Sequence, residues 1–514
     1  MSSESELTGP GPVASKSPDQ PKSQLRRGLS VWQAVGISVA LMAPSMAINI
    51  NPQGTSALVG RATPLAFLLA AIAVLLIAYV FVRLCQYYRH AGSVYIFAGA
   101  TLGSRAGAIA GLGLFATYVF YGMVTISATG IFGTEFLKVV GIWPNPPWWA
   151  GFVIAAVALI GAFVLATTPA KKAGSLLLTI EGFTVTLIVI VAAVALIRML
   201  VGNAPDNAHF TMTVFSVPKG TDTSSLFLGI VFGLLSFAGF EAAATLGEEA
   251  HNPRRDIPRA ILGTAIFGGI YFTVITAIEM MVFSTGTQGV DGFTKSPALM
   301  GYIGQTYIGS WVADIVTLGA AISAFGCALA CVVGAARLIF AITRDLSPNS
   351  PLAQTNRIGS PAAASGLVAG VIGIIGVIML VLSHDQFNSF AWSGTIGTLI
   401  LIVAYVLATI GCIKLVFIDR KMTVPSWQIV IPILTLIVLG YTLYRNVIPW
   451  PEGAAQWLPI VAFGWLILVT IVVFAVPSLA KRLTRGLAAA DHSAIIDNDS
   501  GPMTDEGFMS EKRY

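Results

Sequence analysis

Four acidic side chains, Glu181, Glu241, Glu279 and Asp314, fall within long apolar stretches of this chain. Placing a charge at the centre of a membrane-crossing helix costs about 2.5–3.5 kcal/mol, so a carboxylate found there is usually functional. Glu241 is the most informative. It follows Phe237-Ala238-Gly239-Phe240, where a glycine interrupts an apolar run. A helix that breaks inside a bilayer exposes backbone donors and acceptors, which must line a cavity or be buried in protein. Interrupted helices near mid-membrane are where secondary transporters hold small polar solutes. Beside such a break a carboxylate can cap the freed amides. Glu181, in TIEGFTVTL, lies about 10 Å inside its apolar run by helix rise. Withdrawn from water, a carboxylate keeps a proton more readily. Glu181 is therefore a candidate proton carrier; a structural hydrogen bond to a neighbouring helix is the other reading. Glu279 and Asp314 lie near the ends of their runs and read as groups that reach the interface.

The elements that position these residues can be read from the same pattern. A second interruption occurs in VWQAVGISVALMAPSMAININPQG, at Ala43-Pro44-Ser45. Proline inside a helix removes one hydrogen bond and clashes with the preceding turn. Counting from Ser30, helix rise puts this break roughly 20 Å into the bilayer, and the break at Gly239 reaches a similar depth. Alone, Pro44 would mark an ordinary kink and Gly239 a close helix contact. Together they carry more, because the two interrupted spans are five apart in the order given below. An odd offset reverses membrane direction, as an inverted five-helix repeat requires. A half-helix N-terminus presents amide donors suited to a carboxylate. A half-helix C-terminus presents carbonyls suited to an ammonium. A zwitterionic amino acid would use both.

The 514 residues are 55% hydrophobic and 10% charged, the profile of a helical membrane protein. Twelve spans are expected, near 30–58, 62–83, 105–138, 149–167, 174–201, 225–247, 258–284, 310–343, 362–383, 387–412, 427–445 and 457–477. With the N-terminus cytoplasmic, all but six of the 29 Lys and Arg face inward; the six are Arg61, Lys138, Arg198, Lys219, Lys295 and Arg445. This positive-inside bias puts both termini in the cytoplasm. The net charge of +5 reflects that topology, and contact with lipid, rather than nucleic-acid binding. Residues 1–28 and 481–514 read as disordered cytoplasmic tails. Between them, 29–412 forms a transport core of ten spans and 413–480 adds two more. The first tail lacks a signal-peptide core, so the first span is expected to be retained.

Other chemistries find little support. Cys85, Cys327, Cys331 and Cys412 lie in spans or at their inner ends, so no disulfide is expected. Cys327 and Cys331 are one turn apart but lack further ligands nearby, which favours packing over a metal. His90, His209, His251, His384 and His492 fall in loops or tails. No Walker-type loop is present, and the loops at 202–224 and 285–309 hold few groups for a membrane enzyme. No cofactor is expected.

The phrase SFAGFEAAATLGEEAHNPRRDIPRAI resembles span 6 and the following loop of the amino acid–polyamine–organocation permeases. RHAGSVYIFAGATLGSRAGAIAG and AARLIFAITRDLSPNSP resemble their segments before span 3 and at the end of span 8. The resemblance covers roughly 30–480. It implies an all-α protein of the leucine-transporter type, a 5+5 inverted repeat plus two C-terminal helices. Substrate would sit between spans 1, 3, 6, 8 and 10, at Ala43, Pro44, Ser45, Phe237, Ala238, Gly239 and Phe240. Tyr118, Tyr121, Phe390 and Trp392 are candidate walls. Glu241 becomes a gating or proton-linked group. At the place of Glu181 some proton-coupled relatives carry a lysine in lieu of sodium. Glu248, Glu249, Arg254, Arg255 and Arg259 form a candidate inner salt-bridge gate. Two departures stand out: Met42-Ala43-Pro44-Ser45 replaces the usual Gly-Ser-Gly triplet, and Leu235 stands where some relatives carry an aromatic. The expected function is alternating-access transport of an amino acid or related amine across the plasma membrane. A proton is the expected partner, sodium less so, because Ser323 alone among span 8 hydroxyls is well placed. A transporter-like amino-acid receptor and an amine or polyamine exchanger are the alternatives. The sequence does not indicate an oligomeric state.

Overall fold

In lipid, backbone polar groups must be satisfied within the chain, which favours continuous helix through every apolar run. The computed structural model follows this rule except at two breaks. It describes residues 30–476, apart from 89–92, 169–170, 219–220, 247–249, 251, 348 and 357–358. Among the described residues the regular structure is helical throughout. The first half comprises α1 (Val31–Met42), α2 (Pro44–Val59), α3 (Thr63–Tyr87), α4 (Ser93–Leu102), α5 (Ser104–Val139), α6 (Ala150–Thr167), α7 (Lys171–Leu200) and α8 (Leu226–Phe237). The second comprises α9 (Pro253–Phe283), α10 (Thr287–Lys295), α11 (Leu299–Tyr307), α12 (Ser310–Leu346), α13 (Ala362–Ser383), α14 (Gln386–Ile413), α15 (Val430–Arg445) and α16 (Trp457–Ala475).

Ten helical stretches among the described residues are long and apolar enough to cross a membrane. The expected spans 30–58 and 62–83 fall in one stretch, Val31–Tyr87, joined by a 3-10 turn at Gly60–Ala62 rather than an open loop. The expected span 225–247 is regular helix only to Phe237 and resumes as a 3-10 turn at Ala242–Leu246. Residues 285–309, read from sequence as a loop, contain α10 and α11.

Both expected breaks are present. Between α1 and α2, Ala43 adopts a left-handed conformation, φ 45° and ψ 58°. The break is therefore at Ala43, and Pro44 opens the second segment, where its missing N–H is no loss. After α8, Ala238 is non-helical and Gly239 has φ +101°. Aromatic packing fixes this second break. The Phe237 ring meets Phe272 of α9 at 5.2 Å, and Phe240 meets Phe81 of α3 at 6.0 Å and Tyr405 of α14 at 6.3 Å. Before α8, Asp222 accepts hydrogen bonds from the Ser224 hydroxyl and N–H, which hold its carboxyl below the usual range.

The long helix α5 packs against α4, α6, α12 and α14, while α3 packs along α9. Small residues let these backbones approach. A Cβ on Gly130 of α5 would land on the carbonyl oxygen of Gly151 in α6. Gly130→Val should therefore lower the detergent-state melting temperature, at a cost of about 1–3 kcal/mol from overpacking. An unchanged melting curve would show that α6 moves aside freely. On α13, α15 and α16, Ile374, Val381, Ile437 and Ile471 are exposed, as a lipid-facing surface would be.

Candidate substrate site

The first break is held from two sides. On α12, Ser323 and Cys327 stand one turn apart. The Cys327 thiol donates to the carbonyl of Leu41, the penultimate residue of α1, at 3.0 Å. The Ser323 hydroxyl oxygen accepts from the Met46 N–H of α2 at 3.3 Å. On α7, the Glu181 carboxylate accepts from the Ser45 N–H at 2.9 Å. Pro44 has no N–H, and Ala47 bonds back to the Ala43 carbonyl. The first-turn donors of α2 are thus all engaged. Both Glu181 and Ser45 are buried.

A buried amide organises the rest of α2. Asn49 donates to the Ser45 carbonyl at 2.9 Å and accepts from the Met300 N–H at 2.9 Å and the Gly301 N–H at 3.4 Å. It thereby caps the start of α11. Asn51 donates to the Ser236 hydroxyl of α8 at 2.6 Å. The second break has its own ties. The Ser38 hydroxyl oxygen of α1 accepts from the Ala243 N–H at 3.0 Å, and Glu241 accepts from the Gly239 N–H at 3.2 Å.

The two breaks touch. A Cβ on Gly239 would stand 2.8 Å from the Leu41 Cβ and 3.0 Å from its carbonyl carbon. A cavity opens beside this contact. Met42 and Met46 line it from either side of the first break, and Ala238, Gly239 and Glu241 from the second. Tyr118 and Tyr121 of α5 complete the wall, with Tyr121 hydrogen-bonded to the Thr398 hydroxyl at 3.0 Å. The C-terminal ends of α1 and α8 both reach the cavity, bringing partial negative charge. Glu241 is the one formally charged side chain among the described lining residues.

The expected site residues divide accordingly. Ala238, Gly239, Glu241, Tyr118 and Tyr121 line the cavity. Ala43, Pro44 and Ser45 are buried at the first break, and Phe237 and Phe240 support the second from the core. Trp392 is half-buried in a separate apolar cluster with Met123 and Ile372, and Phe390 packs on Phe387. Arg254, Arg255 and Arg259 stand on the first turns of α9, where Asp256 accepts from the Asn252 N–H. Glu248 and Glu249 lie outside the described residues.

Glu279 departs from expectation. It is fully buried, and neither carboxyl oxygen has a hydrogen-bond partner among the described residues. The interfacial reading assumed an open loop after α9. Instead α10 and α11 pack over this end, with Phe283 against Phe293 and Tyr302. Asn49 was missed altogether. Its signal was available: Asn49, Asn51 and Gln53 are three amides at alternate positions of an apolar span.

Comparison with known proteins shows similarity to transport proteins. Over 363 residues, 70% of this chain and 76% of the relative, the chain is 26% identical to the low-affinity putrescine importer PlaP of Escherichia coli (strain K12). It is 24% identical over 394 residues to the branched-chain amino acid permease BcaP of Bacillus subtilis (strain 168), covering 73% and 77%. The family model described as amino acid permease matches residues 29–474. A multi-pass helical protein with two interrupted helices meeting at one cavity, this chain belongs to the amino acid permease family, whose members are transporters rather than enzymes.

Proposed function

We propose that the protein is a secondary transporter that moves a small amino acid or amine across the plasma membrane by alternating access. The observation that carries this reading is the contact of two helix breaks, at Ala43 and Gly239, beside a cavity that holds Glu241. Interrupted helices that meet at mid-membrane supply the backbone dipoles a small ion needs. In this reading α1–α14 supply ten spans, residues 29–412, in two inverted sets of five. Residues 413–480 add two more, and both tails, 1–28 and 481–514, are cytoplasmic. Arg254, Arg255 and Arg259 sit below the second break as part of an inner gate with Glu248 and Glu249. The relatives' substrates, putrescine and branched-chain amino acids, support an amine or amino-acid cargo.

Proton coupling is assigned to Glu181, with Glu241 beside the cavity as gate. Glu181 ties α7 to the first turn of α2. A protonated carboxyl is a weaker acceptor than a carboxylate, so protonation would loosen the tie and free the first break to shift. Sodium is less well served, since Ser323 already accepts from Met46.

The test is uptake of labelled amino acids and amines into proteoliposomes, with and without an inward proton gradient. Accumulation that collapses when the gradient is removed supports the reading. Glu181→Gln should lose gradient-driven accumulation while retaining substrate exchange. A Gln variant that still concentrates substrate moves the proton to Glu241, and strict sodium dependence of the parent removes proton coupling altogether.

A further inference from the structure

A substrate carboxylate normally needs several converging donors. The first turn of α2 is the helix N-terminus at the first break and could supply them, yet its donors are already used. Ser45 gives its N–H to Glu181 and Met46 gives its N–H to Ser323. Glu181 is a carboxylate of the chain itself, placed where a ligand's carboxylate would cap the helix. The cavity points the same way. Its described lining contains no lysine or arginine, and Glu241 is its one acidic group. The ends of α1 and α8 that reach it are carbonyl ends, which favour a cation. The remaining wall mixes apolar side chains, including Met42, Leu114, Val124 and Leu235, with the hydroxyls of Thr117, Tyr118, Tyr121 and Thr125.

We infer that the site takes a primary monoamine with an apolar body and no carboxylate, and that Glu181 enforces the exclusion. The inference rests on the permease reading and names the cargo of that same site. One ammonium finds one carboxylate, Glu241. A second ammonium, as in a diamine, would find hydroxyls but no second carboxylate, which leaves its charge uncompensated. An amino acid would bring a carboxylate into a site whose helix amides are occupied. Rejection of a ligand that leaves charged groups unpaired is typically strong.

Binding to the purified full-length protein in nanodiscs tests this without requiring transport. The probes are matched pairs that differ by one carboxylate: isopentylamine and leucine, phenethylamine and phenylalanine, and putrescine and ornithine. The monoamines should bind at least about 100-fold more tightly than their amino acids. Glu181→Ala frees the Ser45 amide and should narrow that ratio at least about tenfold. Glu181→Gln keeps an acceptor oxygen at the amide and should keep the ratio wide. Glu241→Gln should weaken amine binding at least about tenfold. Should Glu181→Ala fail to fold, the parent pairs and Glu241→Gln decide the matter. Leucine bound as tightly as isopentylamine, or putrescine bound more tightly than isopentylamine, overturns the inference. Amine binding with no amine flux in proteoliposomes leaves the selectivity standing and overturns the permease reading instead.

Discussion

Gly239→Leu should bind substrate at least about 30-fold more weakly than the parent protein. Two penalties combine at this position. A left-handed backbone costs a residue with a Cβ about 1–2 kcal/mol, and Gly239 sits at φ +101°. The new Cβ would also stand 2.8 Å from the Leu41 Cβ and 3.0 Å from its backbone carbon. Backbone cannot swing aside as a side chain does, so overpacking adds about 1–3 kcal/mol. The variant relieves both by opening the contact between the breaks, which separates the groups that line the cavity. Restoring the binding geometry then costs the sum, and each 1.4 kcal/mol is about tenfold in affinity. Amine binding measured on protein that still elutes as a single symmetric peak is the appropriate readout. Parental affinity in that protein would mean the Leu41–Gly239 contact is irrelevant to the site.

Asn49→Leu should produce the largest loss of stability among single substitutions near the site. The side chain is fully buried and engages three backbone groups: the Ser45 carbonyl, the Met300 N–H and the Gly301 N–H. Leucine matches its shape and strands the Met300 and Gly301 N–H groups, while the Ser45 carbonyl keeps its bond within helix α2. A buried donor stranded in this way costs about 1–3 kcal/mol, so the two together cost about 2–6 kcal/mol. Asn49→Asp keeps the acceptor and loses the donor, and should fall between. Thermal unfolding followed by tryptophan fluorescence would order the three proteins. Equal melting temperatures for the parent and Asn49→Leu would show that α11 is anchored by other contacts.

The helices and both breaks were legible because apolar length, proline and glycine act locally. The phrase around Gly239 marked a break that the backbone does make. The exact hinge was less legible. Pro44 drew attention to itself, yet the left-handed residue is Ala43, because proline fits the first position of a helix and pushes the irregularity one residue back. Tertiary placement was beyond local pattern. Glu279 reads as interfacial until α10 and α11 are seen to fold over it. Glu181 was a candidate carrier by its burial, while its role as a cap on another helix depends on Ser45, 136 positions earlier in the chain. Trp392 shows the same limit in reverse, since an aromatic residue in a span says nothing of which face it presents.

The two ties from α12 are chemically unequal, and this gives the first break a direction. Met46 is held by a hydroxyl oxygen, and the same turn of α2 is held again by Glu181 and Asn49. Leu41 is held by a thiol, a weak donor. Nearly every residue of α2 is buried, whereas α1 buries only Ala34, Ser38 and Met42. Mechanically, α12 is a splint with one firm suture and one loose one. Thermal motion at this joint will therefore be carried by α1, swinging on Ala43, while α2 stays fixed for as long as Glu181 holds Ser45.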